Sequence, residues 1–252
     1  MRYLITFSYD GSNYNGYQKQ PNLRTIQSSI EDALKFINGL ESVDIHASGR
    51  TDKGVHAINQ KAHFDLNKNI TLYKLKCALN TYTDKDIYIK NVEVVDASFH
   101  ARYMVKKKEY IYKLNMGEYN PIERNYVFQY NYKLDIKAIR EGIKYFEGTH
   151  DFRAFVTDNK EKENCVRTIT LTNIEEKDNK LVITFKGDGF LRYQVRNMVG
   201  ILIKIGENKI SPSKVKEILE SKDRTKAGKT APAEGLYLVD VKYWHWKNNI
   251  LS

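Results

Sequence analysis

The sequence predicts a mixed α+β protein, and two observations support this prediction. Segments rich in aromatic and β-branched residues recur along the chain, the first at residues 2–9. Residues 25–38 and a second segment within 185–206 place apolar side chains at helical spacing. A chain of 252 residues is also long enough to bury a core without a metal or a disulfide.

The N-terminal part of the chain alternates strands with helices. A strand at 2–9 ends at the turn 10–12, and a helix follows at 25–38. Gly39 is placed to end this helix, whose predicted buried face is Ile26, Ile30, Ala33, Leu34 and Ile37. A strand at 55–64, a short helix at 72–79 and a strand at 87–95 complete this part.

A second α/β segment is predicted from residue 106 onward. It begins with a strand in which Tyr110, Tyr112 and Leu114 share one face, and continues with a helix from Asp135 that ends at Gly148. We further expect a hairpin of strands 169–174 and 181–185, a helix within 185–206, a short helix to residue 219, a mobile basic loop at 221–232 and a closing strand at 236–244. The predicted domains are therefore residues 1–105 and 106–252.

The composition indicates a polyanionic partner and a reducing compartment. Lys and Arg total 41 against 31 Asp and Glu, a net charge of +10, which favours nucleic acid although basic proteins without such partners exist. Cys77 and Cys165 lie in no redox or metal motif, so we expect free thiols. The N-terminus shows a strand and no signal peptide, and no segment approaches the ~18 apolar residues of a membrane span, so we expect a cytoplasmic protein without membrane contact.

The segment ASGRTDKGVHA, residues 47–57, concentrates the residues that can carry chemistry. Gly49 and Gly54 allow tight turns and close approach of a ligand. Arg50 and Asp52, two positions apart, lie on one side of an extended backbone. The alternative is an ordinary loop in which the Asp and Thr side chains satisfy their own turn amides.

Two other segments contain candidate functional residues that could equally have a purely structural role. Tyr14, Tyr17 and Gln18 lie in a basic loop, where they suit either base stacking and edge contacts or packing on the protein's own surface. Arg196 is predicted at the shoulder of the apolar stripe of its helix, where a guanidinium requires a carboxylate partner. Gly200, one turn later, would let another backbone approach.

Several function classes find no support in the sequence. The histidines form no HExxH motif, the chain contains no GxxxxGK[ST] phosphate loop, and no metal-ligand spacing is present. We therefore predict no metal and no cofactor, and nucleotide hydrolysis is not indicated.

Five segments together resemble the tRNA pseudouridine synthase A family. They are YDGSNYNGYQKQ with the following RTIQ, ASGRTDKGVHA, FHARYMVKKKEYIY, GFLRYQVRNMVGILIKIG and APAEGLYLVDVKY, in the family's order from Tyr9 to Tyr243. Tyr17 departs from the tryptophan that is usual in the family. The resemblance implies a pseudouridine synthase fold: two ferredoxin-like halves that share an extended, mainly antiparallel sheet with a central cleft.

The resemblance also implies roles for individual residues. Asp52 would be the catalytic aspartate, Tyr110 the active-site tyrosine and Arg196 the cation paired with the aspartate, holding the pKa of its carboxyl low. The expected substrate-binding residues are Tyr110, Arg50, Gly49, Thr51, His56, Arg24 and Gln18. The implied partner is tRNA, bound at its anticodon stem-loop by a homodimer in which each tRNA contacts both subunits.

The reaction implied is the isomerisation of uridine to pseudouridine at tRNA positions 38, 39 and 40. The sequence leaves open whether Asp52 attacks as a nucleophile or removes a proton to form a glycal, and whether Tyr110 stacks on the uracil or also moves a proton. A non-catalytic RNA-binding protein would explain the charge and the tyrosines but not the displayed carboxylate. A nucleoside hydrolase would need a second acid, and no second Asp or Glu lies in a comparable loop.

Overall fold

The computed structural model describes residues 1–157 and 164–244, which form two compact units. Unit 1 comprises residues 1–106 with 238–244, and unit 2 comprises residues 107–237 apart from 158–163. Both contain strands and helices, which confirms the predicted α+β class. The division into domains at residue 105 stays a prediction. Within the described ranges, no helix is long and apolar enough to cross a membrane.

Unit 1 combines an antiparallel sheet with two helices. Its elements before unit 2 are β1 (Arg2–Tyr9), α1 (Ile26–Ile37), β2 (His46–Ala47), β3 (His56–Asp65), α2 (Leu72–Tyr82) and β4 (Ile87–Val95). β1 pairs antiparallel with β3 on one side and β4 on the other, while β2 pairs with β3. The last described strand, β10 (Leu236–Tyr243), lies next to β3, where Asn59 Nδ2 donates to Val239 O at 3.0 Å.

The first helix forms as its sequence predicts. The predicted stripe of Ile26, Ile30, Ala33, Leu34 and Ile37 is buried. Its N-terminus carries a capping box, in which the side chain of Thr25 accepts from the backbone N–H of Ser28. The positive φ of +73° at Gly39 ends the helix, as expected for a residue without a Cβ.

In unit 2, antiparallel strands follow the order β5-β9-β8-β7, and a short strand, β6, pairs with β5 in parallel. Its elements are β5 (Val105–Asn115, most of which belongs to this unit), β6 (Phe128–Gln129), α3 (Ile136–Ile143), β7 (Gly148–Asp151), β8 (Val166–Lys177), β9 (Lys180–Gly187), α4 (Gln194–Gly206) and α5 (Lys214–Ser221). The predicted hairpin turn between β8 and β9 is present. Asp178 and Asn179 both have positive φ, the conformation that two-residue hairpin loops require.

Candidate active site

The loop between β2 and β3 in unit 1 holds Asp52 and is fixed at its start by two buried polar side chains. Ser48 donates its backbone N–H to Lys61 O at 2.7 Å and its hydroxyl to Gln60 Oε1 at 2.6 Å. Gln60 in turn donates to Gly49 O at 3.0 Å. Both side chains are fully buried, so these bonds are shielded from water and set the direction in which the loop leaves the sheet.

Thr51, immediately before the aspartate, is held from two sides. Its hydroxyl shares a 2.8 Å hydrogen bond with the Tyr9 hydroxyl, and its carbonyl accepts from the Tyr17 N–H at 3.1 Å. Burial raises the pKa of Tyr9 to about 12, so this phenol is protonated and neutral at pH 7. A turn closed by the Val55 N–H bonding to Asp52 O then leads into β3, and the Asp52 side chain is half-buried.

Two glycines of the N-terminal loop lie directly against the backbone of the Asp52 loop. Gly16 has φ +90°, and a Cβ added there would lie 2.9 Å from Thr51 O, 3.2 Å from Lys53 N and 3.3 Å from Asp52 C. At Gly11 a Cβ would overlap the Val55 carbonyl. Only glycine permits this backbone approach, so the segments YDGSNYNGYQ and GRTDKGVH form one interlocked structure.

The N-terminus of α1 holds the other side of the same loop. The N–H groups of Ile26 and Gln27 donate to Gly16 O at 3.2 Å and Tyr17 O at 2.9 Å. First-turn N–H groups have no partner within their own helix, and here loop carbonyls satisfy them. The helix therefore supports the loop that supports the Asp52 turn.

His56 lies at the start of β3 and is 2% exposed. Its Nδ1 accepts from the Gly11 N–H at 3.1 Å and lies 3.2 Å from Asp10 Oδ1. The side chain of His56 thus joins the two loops.

The remaining substrate-binding candidates of unit 1 differ in their surroundings. Arg50 is exposed, while Gly49 and Gln18 are half-buried. Arg24 lies over the Tyr14 ring at 4.1 Å and forms ion pairs of 3.1 Å with both Asp84 and Asp86. The sequence could not reveal this cluster, because its carboxylates lie some 60 positions further along the chain.

Tyr110 lies on β5 in unit 2. It is opposite Phe185 of β9, and the Phe190 ring meets it edge-on at 5.1 Å with an interplanar angle of 77°. The ring is 7% exposed. Tyr112, on the same face of β5, is fully buried and donates to Pro232 O at 2.9 Å, so it packs in the core of the unit.

Arg196 lies on α4 in unit 2, half-buried at the shoulder that the sequence predicts. Its Nε donates to Ala231 O at 2.8 Å, and the Ala231 N–H donates back to Arg196 O at 3.0 Å. The predicted backbone approach at Gly200 is confirmed, because a Cβ there would overlap the Lys229 carbonyl. The reciprocal bonds to Ala231 fix the plane of the guanidinium.

The basic segment 221–232, predicted as a mobile loop, is instead packed on α4. Arg224 donates to Asn197 Oδ1 at 2.9 Å and to Gly228 O at 2.8 Å, and the Thr230 hydroxyl donates to Asn197 Oδ1 at 2.6 Å. Asn197 is fully buried and donates to Phe155 O. The prediction was wrong because the sequence of this charged, glycine-containing segment does not show that Arg224 and Thr230 hydrogen-bond to the buried amide of Asn197.

Sequence reasoning missed the residues that hold the site. Tyr9, Gly16 and Gln60 appear in no set of candidates, yet each contacts the Asp52 loop. The only signal for Gly16 is its place in the N-terminal segment shared with the family. Gln60 lies inside a strand, where nothing distinguishes it from a solvent-facing side chain.

Comparisons with known proteins agree with the resemblance. A family model described as tRNA pseudouridine synthase matches residues 5–104 and 143–244. The tRNA pseudouridine synthase A of Streptococcus mutans is 44% identical over 246 residues, covering 96% of this chain and 99% of the relative. The protein of that name from Limosilactobacillus reuteri is 44% identical over 247 residues, 96% of each chain. The tRNA pseudouridine synthase A 1 of Bacillus cereus is 44% identical over 243 residues, 96% of this chain and 98% of the relative.

Among solved structures, one chain of a Cbf5-Nop10-Gar1 complex matches 79% of this chain, and the match covers 54% of the chain from that complex. The TM-score is 0.33 and the sequence identity is 12%, so this structure is too distant to inform the site. The family model and the three relatives span nearly the whole sequence. The chain therefore belongs to the tRNA pseudouridine synthase A family.

Proposed function

We propose that this protein isomerises uridine to pseudouridine in tRNA, at positions 38, 39 and 40 of the anticodon stem-loop. The observation that carries the proposal is membership of the family across 96% of the chain, together with an Asp52 loop held by buried polar contacts. In the reaction the N1 glycosidic bond breaks, the uracil rotates while bound, and C5 bonds to C1′. No group is gained or lost, so the enzyme's task is to bind, orient and stabilise charge.

Asp52 is the proposed catalytic residue, as nucleophile or as base. Either role needs an ionised carboxylate at a fixed position. The contacts of Thr51 with Tyr9 and Tyr17, and the approach of Gly16 from behind, restrict the backbone on which the carboxylate stands. Fixing a reacting group in this way removes orientational entropy from the activation barrier.

Arg196 is the proposed cation that keeps this carboxylate charged. A guanidinium beside a carboxyl lowers the carboxyl pKa, because it stabilises the charged form. The bond from Nε to Ala231 O sets the orientation of the guanidinium, whose other nitrogens carry four more N–H donors. This bond, together with the Tyr193 ring 5.3 Å from the guanidinium, restricts the orientation of a group that must act on a reacting atom.

Tyr110 is proposed to stack on the uracil, with proton transfer as a further role. Its ring is fixed by β9 and by Phe190. A phenol with an ordinary pKa of about 10 is a poor base at pH 7, which favours stacking.

The remaining substrate contacts are assigned by exposure. We propose that Arg50, Gly49 and Gln18 contact the RNA, with Arg50 filling the space that the flipped uridine leaves. Thr51 and His56, whose side chains are engaged within unit 1, would act by shaping the substrate-binding surface. Arg24 is exposed but ion-paired with Asp84 and Asp86, so it would likewise act by shaping this surface.

Binding energy must come mainly from phosphate contacts. Extruding the target base costs a few kcal/mol, and stacking it on one aromatic ring returns about 1 to 3 kcal/mol. These terms roughly cancel. The net charge of +10 is the proposed source of the surplus, and recognition would then follow tRNA shape more than base identity.

The deciding experiment incubates the protein with uridine-labelled tRNA and separates the nucleosides. Pseudouridine supports the proposal, free uracil indicates a hydrolase, and unchanged uridine indicates RNA binding alone. The variant Asp52→Asn should abolish product formation and retain tRNA binding, since it removes the charge and keeps the shape. Retained turnover would remove Asp52 from the chemistry.

We also propose that the protein acts in the cytoplasm as a homodimer, with each tRNA contacting both subunits. Mixing an inactive Asp52→Asn chain with a chain defective in tRNA binding should then restore activity in the mixed dimer. Sedimentation as a monomer at the concentrations of the assay would refute the dimer.

A further inference from the structure

A column of aromatic rings stands at the turn that follows β4 in unit 1. The Tyr103 ring stacks on His100 at 4.2 Å, with an interplanar angle of 30°. The His100 ring lies 4.7 Å from His63 of β3, and His63 stacks on His46 of β2 at 5.0 Å. We call these four side chains the ring column; none of them has a part in the reaction described above.

The turn that carries Tyr103 and His100 is held in place by hydrogen bonds from several parts of the unit. Arg2 donates to Phe99 O at 2.9 Å, and the Ala101 N–H donates to His63 Nδ1 at 3.1 Å. The Tyr243 hydroxyl donates to Ala101 O at 2.9 Å, and its ring meets Phe99 edge-on. The rings are therefore arranged before any ligand arrives, so a ligand would not have to order them.

Both ends of the ring column face solvent. Tyr103 is 78% exposed and His46 is exposed, whereas His63 is 2% exposed. Arg102, beside Tyr103, is exposed, and its N–H donates to His100 Nδ1 at 3.1 Å. Phe99 and Ala101 of the same turn are buried in the core of the unit, whereas Tyr103 and Arg102 lie at its surface. Amphipathic aromatic groups exposed in this way are typical of binding surfaces.

Electrostatics at the ring column favour a flat ligand with a negative charge. Burial, followed by the charges of His100, Arg2 and His46, lowers the pKa of His63 to about 4. Burial, with the charges of His46, Arg2 and Arg102, also lowers the pKa of His100. Both imidazoles are therefore neutral at pH 7, which leaves flat uncharged rings beside the permanent charges of Arg2 and Arg102. Arg2 is paired with Asp65 at 2.7 Å and also lies near Asp96, so the charge that a ligand would meet here is that of Arg102.

We propose that the ring column is a docking surface for an unpaired nucleobase of the tRNA substrate, which stacks on Tyr103 while Arg102 binds the adjacent phosphate. The proposal rests on tRNA being the substrate. An RNA supplies both the π-face and the anion that this surface accommodates, and every base can stack. His63 lies seven residues along β3 from His56, about 23 Å at 3.3 Å per residue. The docked nucleotide is thus separate from the target uridine.

The test measures the Kd for unmodified tRNA, and the rate of pseudouridine formation, in three variants. Tyr103→Ala should weaken tRNA binding by roughly 5- to 150-fold, the range for loss of one base–aromatic stack, and leave the rate at saturating tRNA unchanged. Tyr103→Phe should bind like the wild-type protein because it keeps the ring. Tyr73→Ala is the matched control, since Tyr73 on α2 is 77% exposed.

Three results would overturn the proposal. The first is an unchanged Kd for Tyr103→Ala in a protein that melts like the wild type. The second is an equal loss of binding in Tyr73→Ala, which would indicate a general surface effect. The third is a change of oligomeric state in Tyr103→Ala with tRNA affinity per chain unaltered, which would make the turn a contact between copies. If the wild-type protein binds tRNA through Tyr103 but forms no pseudouridine, the proposed function fails while the docking surface stands.

Discussion

Replacing Gly16 by alanine tests whether the N-terminal loop supports the Asp52 turn through backbone contact. The added Cβ would face two separate penalties. Holding an L-residue at φ +90° costs roughly 1 to 2 kcal/mol. Displacing backbone that lies 2.9 to 3.3 Å away costs about 1 to 3 kcal/mol more, as overpacking does in a core. We expect a total loss of about 2 to 5 kcal/mol in the free energy of unfolding.

Gly39→Ala is the matched control because it carries only the first penalty. Gly39 has φ +73°, and nothing lies within 4 Å of the added Cβ. Urea unfolding of the two variants, followed by circular dichroism, gives the difference directly, and we expect Gly16→Ala to be the less stable by about 1 to 3 kcal/mol. Equal stabilities, within about 0.5 kcal/mol, would refute the claim that contact with the Asp52 loop requires glycine at position 16.

The same pair of variants reports on catalysis. Because Gly16 faces the peptide groups on both sides of Asp52, a shifted loop should misplace the carboxylate, and a displacement near 1 Å can cost on the order of 100-fold in rate. We expect kcat to fall in Gly16→Ala with KM little changed, and Gly39→Ala to retain both. A fall in both variants would point to general destabilisation instead.

Three further outcomes are expected. Arg196→Met should lower the rate of product formation far more than tRNA affinity, whereas weakened binding at an unchanged rate would make Arg196 a phosphate contact. Affinity for tRNA should fall steeply as salt is added, and a flat dependence would contradict binding led by phosphate contacts. Because unfolded His63 titrates near 6.5 and folded His63 near 4, the unfolded chain binds more protons between these values. Stability should therefore fall as pH drops from 6.5 to 4, by at most about 1.4 kcal/mol per pH unit, and His63→Asn should flatten this part of the curve measured by urea unfolding.

The sequence predicted the long elements well. The bounds of β1 and β4 agree with those expected, and the buried stripe of α1 consists of the predicted residues with Glu31 added. Periodicity is informative over such lengths because several side chains must all face one core. β2, β6 and β7, of two to four residues, were missed, since a strand this short has no period to detect.

The sequence identified the segments that form the candidate site, but it did not predict how their residues contact one another. The composition of residues 47–57 marks this loop as a candidate site. The hydrogen bond that holds Thr51, however, comes from Tyr9, which lies 42 positions away in the sequence. Likewise, Glu31 is a buried carboxylate on α1 that accepts from Lys19 at 2.8 Å and from Gln27 at 2.8 Å. Pairings of this kind depend on the folded chain, which is why sequence patterns named the loop and missed what holds it.

The return of the last described strand to unit 1 has a consequence for synthesis on the ribosome. Tyr243 packs against Phe99 and bonds to Ala101, so these contacts cannot form until about 240 residues have been translated. Unit 2, which lies between them in the sequence, is translated completely before that moment. Until then, part of the apolar core of the nascent N-terminal segment is exposed to solvent. We therefore expect residues 1–106, when expressed alone, to bind chaperones and to be cleaved by protease faster than the full chain.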